Sequence, residues 1–477
     1  MPNFKGLMKD TAIYGVSSIV GRFLNYLLTP LWTYNMPKES GDFGVLTNMY
    51  SWTALLLVIM TFGMETTLFR FANRKDADPD TVFTTAFVWV GTLVAVFAAL
   101  VGGFLSQISE ALHYHDHPEF VAMMAGITVL DVLQALPFCY LRFQKRAIKF
   151  VSLKLLFIVV NCALNLLFFA YLDKSDVFYV FAINLACTGI ITFFFVPDFF
   201  RIKWHFDGAL LRRMLGYSWP ILVLGIAGIL NQSADKILFP LVCDAADADA
   251  QLSEYGACVK IAMIMALITQ AFRYAYEPIV FAKNNSSESV SDKVGYYAEA
   301  MKWFIVFTLA AFLAVIAFID ILQYFVDVEY RVGIKAVPVV MAAEIMMGIY
   351  FNLSFWYKLI DKTIWGAWFS IAGCAVMIVS NVVFIPQFGY MACAWSGFAG
   401  YAVCMLFSYF VGQRVNPIPY DLKSIGGYAL LAVAVFAAMQ WLPFDGWAAL
   451  AVKVGLLLVY LIPVALSLRK FLVKKIK

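Results

Sequence analysis

The sequence predicts an all-α integral membrane protein with fourteen transmembrane helices: two parallel six-helix lobes followed by two C-terminal helices. Three observations predict this. Hydrophobic residues make up 62% of the 477-residue chain and charged residues 14%, with a mean hydropathy of +0.80, more apolar surface than a soluble core requires. Stretches of about 20 apolar residues recur along the chain, each enough to cross a hydrocarbon core roughly 30 Å thick. Finally, a spaced set of residues in the first two spans returns about 210 residues later.

The spans are predicted to begin near Thr11, Phe43, Thr81, His117, Phe150, Ser175, Arg212, Leu252, Gly295, Arg331, Lys362, Phe388, Lys423 and Gly446. Their apolar runs are long, uninterrupted and poor in turn residues. A β-barrel strand would instead alternate at every second position, so helices are expected. The first span follows a basic start (MPNFKGLMKD) that resembles a signal peptide, but it carries Arg22, lacks a cleavage site and belongs to the repeat, so it is expected to stay.

The repeat is specific. Gly15, Asn25 and Pro30 match Gly225, Asp235 and Pro240 at an offset of 210, and Phe43-Gly44 and Glu65 match Tyr255-Gly256 and Glu277 at 212. Six spans separate the copies, an even number, so both have the same orientation. The expected lobes are residues 1–205 (spans 1–6) and 206–415 (spans 7–12), with 416–477 (spans 13 and 14) appended. A duplicated bundle with polar groups at equivalent depths is the mark of a secondary transporter.

Charge sets the topology. Of 35 Lys and Arg, 26 fall on the N-terminus, the even-to-odd loops and the C-terminus, and four (Lys38, Lys174, Arg331, Lys335) on the opposite loops. Both termini are therefore expected in the cytosol. The outer loop Cys243 to Glu254 is purely acidic, in keeping with this. No loop is long enough for a soluble domain, and no GxxxxGK[ST] run offers an ATP site. The eight cysteines show no CxxC pair and suggest neither a disulfide framework nor a metal site.

The ionisable residues inside spans are the candidates for function, because a charge at the bilayer centre is costly unless it faces protein or water. Ser18, Arg22, Asn25 and Thr29 form one polar face of the first span, and Gly228, Gln232 and Asp235, with Ser218 further down, the matching face of span 7. Arg22 either lines a transport cavity or pairs with an internal acid. In span 8, Arg273 and Glu277 are spaced to pair on one helix face, while Lys260 has no acid within four residues on its own helix and is expected to be an unpaired cation facing a cavity. Asn48 is its counterpart in span 2. Lys236 and Lys453 also fall within predicted spans. Glu65 and Glu277, near the cytosolic ends of spans 2 and 8, suit either a coupling ion (H+ or Na+) or a gate, and Asp131 and Glu344 are weaker members of that set. His113, His115 and His117 alternate in an outer loop, where metal binding competes with a plain loop role. Tyr274 or Trp356 could stack on sugar rings, but the sequence selects neither.

The runs NQSADKILF from Asn231, EYGACVKIA and AYEPIV resemble the seventh and eighth spans of polysaccharide transporters in the multidrug/oligosaccharidyl-lipid/polysaccharide (MOP) superfamily. Asp235-Lys236, Tyr255-Gly256, Lys260 and Pro278 fill that family's motif positions, with Lys236 where Arg is commoner. The opening DTAIYGVSSIVGRFLNYLLTPLWT and SGDFGVL look like its first two spans. The resemblance implies a MATE-like fold and a flippase, not an enzyme. It would move an undecaprenyl-pyrophosphate-linked oligosaccharide, such as an O-antigen unit for lipopolysaccharide biosynthesis, across the bacterial inner membrane by alternating access through a cationic cleft. The implied substrate-binding residues are Arg22, Asn25, Asp235, Lys260 and Arg273. No cofactor, metal or nucleic acid is implied. The implied partners are the lipid-linked oligosaccharide, membrane lipids and other polysaccharide-assembly membrane proteins, with the flippase itself a monomer.

Three rivals remain. A MATE-type organic-cation antiporter would favour acids and aromatics over the bases seen in spans 1 and 8. A lipid II-type flippase shares the same logic but usually has more arginine in its cavity. A membrane polysaccharide polymerase would need a large basic outer loop, whereas Ser106 to Glu119 and Cys243 to Glu254 contain no Arg or Lys.

Overall fold

A computed structural model describes residues 26–74, 77–200, 202–284, 289–360, 362–441 and 446–476. Every regular element among them is helical. Numbered in chain order, the helices are α1 (26–35), α2 (Asp42–Thr61), α3 (Met64–Ala72), α4 (Pro79–Gly103), α5 (Leu105–Ala111), α6 (Pro118–Phe143), α7 (Ala147–Asn165, continued as a π-helical turn over Leu166–Tyr171), α8 (Val177–Phe193), α9 (Val196–Phe199) and α10 (Gly208–Val242). They continue with α11 (Ala248–Asn284), α12 (Val290–Ala317), α13 (Ile319–Leu322), α14 (Val337–Leu353), α15 (Phe355–Lys358), α16 (Ile364–Phe388), α17 (Tyr390–Val415), α18 (Leu422–Gln440) and α19 (Gly446–Ile476).

Thirteen helical segments among the described residues are long and apolar enough to cross a membrane. They correspond in order to predicted spans 2–14; of the span expected from Thr11, only the end lies within the described residues. Large apolar side chains such as Val96, Val159, Val379 and Leu430 project outward from within these helices, as lipid contact requires. Trp441 and Trp447, at facing ends of α18 and α19, are 86% and 83% exposed, where an aromatic belt would sit. This is a multi-pass membrane protein.

The helix ends explain themselves locally. Asp78, Asp176, Asp207 and Asp421 each turn a carboxylate onto the first free backbone N–H groups of α4, α8, α10 and α18. Asp207 accepts from Ala209 N at 2.8 Å and Leu210 N at 3.0 Å, and these bonds hold its carboxyl below the usual carboxylate range.

The chain divides into two compact units, residues 1–256 and 257–477. In the first, α10 and the opening turns of α11 pack on α2. One core runs through Met64 and Leu68 of α3, Phe83, Ala86 and Val90 of α4, Val132 and Leu136 of α6, and Met214 of α10. In the second, α14, α16 and α17 form the tightest group, and α18 and α19 lie on α12. Tyr460 of α19 donates to the Val306 carbonyl at 3.1 Å, and Lys453 pairs with Asp320, which accounts for that cation inside an apolar helix.

Candidate functional site

At its cation-poor end the first unit brings together part of the repeat motif: Phe43-Gly44, Asp235, Pro240 and Tyr255-Gly256. Pro240 lies inside α10 and has no N–H, so the Lys236 carbonyl one turn earlier loses its helical partner. Asn48 of α2 supplies the missing donor: its Nδ2 reaches Lys236 O at 2.7 Å and, more weakly, Ile237 O at 3.4 Å. Its Oδ1 accepts from the Tyr114 hydroxyl at 3.2 Å, and His113 lies 3.1 Å from the Pro240 carbonyl. Burial and the Asp249 carboxylate push the Tyr114 phenol well above the ordinary tyrosine value, so it stays a donor. Two residues of the histidine loop, His113 and Tyr114, therefore support α10 where Pro240 interrupts its hydrogen bonding. Among the described residues no cluster of three or more His, Cys, Asp or Glu could hold a metal ion.

Gly44 and Gly256, partners in the repeat, both lie where α2 and α11 cross. A Cβ on Gly44 would overlap the Asp249 carbonyl oxygen, and one on Gly256 would lie 2.5 Å from Thr47 Oγ1. The gap is closed by Gly44 N donating to Ser253 Oγ at 2.6 Å and by a Lys38–Glu254 ion pair at 2.6 Å.

Asp235 sits beside this crossing, 6% exposed. It accepts from the Tyr255 hydroxyl at 2.7 Å, and Lys236 Nζ lies 3.0 Å from both carboxylate oxygens. A buried carboxylate satisfied by a phenol and an ammonium locks α10 to α11 and leaves little capacity for a ligand. Arg22 and Asn25, the other predicted binding residues of the repeat, lie outside the described residues.

At the cation-rich end of the same unit, Glu65 of α3 faces Arg142 of α6 at 3.9 Å, with side chains 44% and 40% exposed. Asp131 and Arg142 share one face of α6, and Phe138 lies between them. Lys154 of α7 sits over the Phe138 ring, 4.1 Å from its centroid, and interacts electrostatically with Asp131, Glu65 and Arg142. Glu65 and Asp131 are thus members of one four-charge group. Sequence reading missed Lys154 by counting it among loop cations, although the run FVSLKLLFIVV marks it as a lone charge in an apolar stretch.

In the second unit, Glu277 accepts from Arg273 Nε at 3.5 Å and from Lys358 Nζ at 3.3 Å. Arg273 also lies over Phe351, 4.9 Å from the ring centroid. One carboxylate is shared by two cations, so the Arg273–Glu277 pairing expected from spacing is real but does not neutralise the group. Lys358, also counted as a loop cation, is the missed member. Lys260 and Glu344 are half-buried on α11 and α14. Lys260 is not the unpaired cation its own helix suggested, because it and Glu344 each engage a neighbour, as the cost of an isolated charge in a span requires. Trp356 is 1% exposed and donates to Ser408 Oγ at 3.2 Å, so it is core and not a stacking platform. The Tyr274 side chain lies outside the described residues.

A family profile described as "Polysaccharide biosynthesis protein" matches residues 39–325. No curated protein sequence matches the chain significantly. Among solved structures, the chain is similar to the lipid II flippase MurJ in an inward closed conformation, with a TM-score of 0.76 and 13% identity over 98% of this chain and 100% of that one. It is similar to an inward-facing multidrug resistance MATE family transporter of the MOP superfamily, with a TM-score of 0.63 and 12% identity over 88% and 99% of the two chains. A MATE multidrug transporter, DinF-BH, in complex with R6G aligns with a TM-score of 0.55 and 14% identity, over 84% of this chain and 94% of that one. The all-α, MATE-like fold implied by the resemblance is the one observed, and MurJ shares it.

Proposed function

The chain belongs to the polysaccharide biosynthesis protein family, and from that premise we propose that it flips a polyprenyl-pyrophosphate-linked oligosaccharide from the cytosolic to the outer leaflet of a bacterial inner membrane. The observation that carries this reading is the Arg273–Glu277–Lys358 group, where two cations share one carboxylate and leave a net positive charge on membrane-spanning helices. A pyrophosphate head needs such cations to enter a low-dielectric interior. An exporter of organic cations would want the reverse, acids outnumbering bases.

Transport proceeds by alternating access, with both termini in the cytosol. Arg22, Asn25 and Lys260 are assigned to the head group beside Arg273, and Glu65, Glu277, Asp131 and Glu344 to gating or to a coupling ion, H+ or Na+. An inside-negative potential helps, because each negative charge moved outward gains about 2.3 kcal/mol per 100 mV. The substrate's oligosaccharide comes from the cytosolic sugar-transfer reactions that build it, and the flipped product passes to polymerising or ligating membrane proteins.

The test is flipping in proteoliposomes by wild type, Arg273→Gln and Lys358→Gln. A charge-assisted hydrogen bond is worth about 1.5–3 kcal/mol, so each variant is expected to flip roughly ten-fold or more slowly while remaining monodisperse. Wild-type rates in both folded variants would remove the group from the transport path.

A further inference from the structure

We propose that Lys154 and Arg142 form a second anion subsite, within the first unit, that takes the diphosphate of the lipid-linked substrate. The inference rests on the flippase reading above and adds residues that reading does not use. Asp131, Phe138 and Arg142 are spaced by seven and four residues on α6 and so lie along one face. Arg142 is at the cation-rich end of the helix, and Asp131 lies about 16 Å deeper at 1.5 Å per residue. Lys154, seven residues into α7, sits over Phe138 between them.

Among the described residues none of these charges has an opposite charge at hydrogen-bonding distance. Among the described residues, Lys154 makes no hydrogen bond or ion pair within 4.0 Å, and its neighbour is an aromatic face. Arg142 reaches Glu65 only at 3.9 Å, beyond hydrogen-bonding distance; its other neighbours are the neutral Cys139 thiol and the Phe69 ring, 5.3 Å to the centroid, and the Arg142 and Glu65 side chains remain accessible. Among the described residues Asp131 likewise has no ion-pair partner within 4.0 Å, although it interacts electrostatically with Lys154. A structural ion-pair network would close these gaps, because a charge in a span needs a hydrogen-bonded partner. Two cations without a close counter-charge, set along a line inward from the cation-rich end, suit a diphosphate. Glu65 and Asp131 balance the group while it is empty, and Asp131 marks the deep limit beyond which an anion is repelled.

The test is binding of undecaprenyl pyrophosphate to the full chain in detergent, with inorganic pyrophosphate and phosphatidylglycerol as competitors. Lys154→Gln and Arg142→Gln are each expected to weaken binding about ten-fold, and Lys154→Arg to keep it within about three-fold. Asp131→Asn is expected to strengthen binding by about three-fold or more, a direction that a packing role would not give. Competition by inorganic pyrophosphate supports the subsite. Competition by phosphatidylglycerol alone overturns it in favour of a general lipid-headgroup site. A folded Lys154→Gln variant with wild-type affinity overturns it, as does weaker binding by Asp131→Asn; if Lys154→Gln does not fold, Lys154→Arg and Asp131→Asn decide. Absence of binding by the wild type would count against the flippase reading itself, whereas wild-type binding unaffected by these variants would count only against this subsite.

Discussion

Replacing Asn48 with Ala removes the donor that Pro240 makes necessary. In the native chain the Lys236 carbonyl receives Asn48 Nδ2 at 2.7 Å, and Asn48 Oδ1 takes the Tyr114 hydroxyl at 3.2 Å, with Asn48 itself 2% exposed. The substitution therefore strands one carbonyl and one hydroxyl. A buried unsatisfied group costs about 1–3 kcal/mol, whereas side-chain hydrogen bonds measured within membranes average about 0.6 kcal/mol. Two such groups place the expected loss near 2 kcal/mol. The assay is reversible unfolding in mixed micelles, run as a double-mutant cycle with Pro240→Ala. An alanine at 240 restores the N–H, so the Lys236 carbonyl gains an ordinary helical bond and no longer depends on Asn48. In that background Asn48→Ala loses only its Tyr114 partner, and its cost falls by about half, a coupling of about 1 kcal/mol. A coupling within about 0.3 kcal/mol of zero would refute the reasoning, since Asn48 would then not be serving the carbonyl that Pro240 leaves free.

The crossing of α2 and α11 predicts an asymmetry between matched glycines: Gly44→Ala meets the rigid Asp249 backbone, whereas Gly256→Ala meets the end of the Thr47 side chain. Thermal unfolding in detergent is expected to show the larger loss for Gly44→Ala, and equal losses would contradict the packing described. At the start of α18, the Ser424 hydroxyl, Lys302 Nζ at 2.9 Å and Ser424 N at 3.2 Å all donate to Asp421, which lowers its pKa to about 2. A depressed carboxylate stabilises the fold above its unfolded value of about 3.9 and loses that contribution as pH falls. The stability difference between wild type and Asp421→Asn should therefore hold above about pH 4 and shrink towards pH 2, and a difference constant across that range would be the contrary result.

The spans were legible because each apolar run is long and bounded by charge: Phe43, His117 and Gly446 fall within a residue of observed helix starts. The repeat was legible too, and its Gly44 and Gly256 turned out to mark a close helix crossing. The Arg273–Glu277 pair could be read from its spacing because it is local. Its third member, Lys358, lies 81 residues away and could not. Lys358 falls past the apolar run of its span because helices continue beyond their apolar stretches, and hydropathy does not show by how much, whereas Lys154 lies inside its run, four residues after Phe150, and was grouped with the loop cations only for its closeness to that boundary. Asn48 looked like the polar counterpart of Lys260, whereas its partners are a backbone carbonyl 188 residues on and a loop tyrosine. Pro240 announces a free carbonyl in the sequence, but nothing local names the donor.

The account's central claim is that the substrate is carried by its pyrophosphate. The most direct measurement is protein-dependent appearance of a labelled polyprenyl-pyrophosphate oligosaccharide in the opposite leaflet of proteoliposomes, alongside an uncharged polyprenyl glycoside of the same sugar and a fluorescent organic cation. The account predicts transfer of the first and not of the other two. Transfer of the organic cation without the pyrophosphate lipid would contradict it.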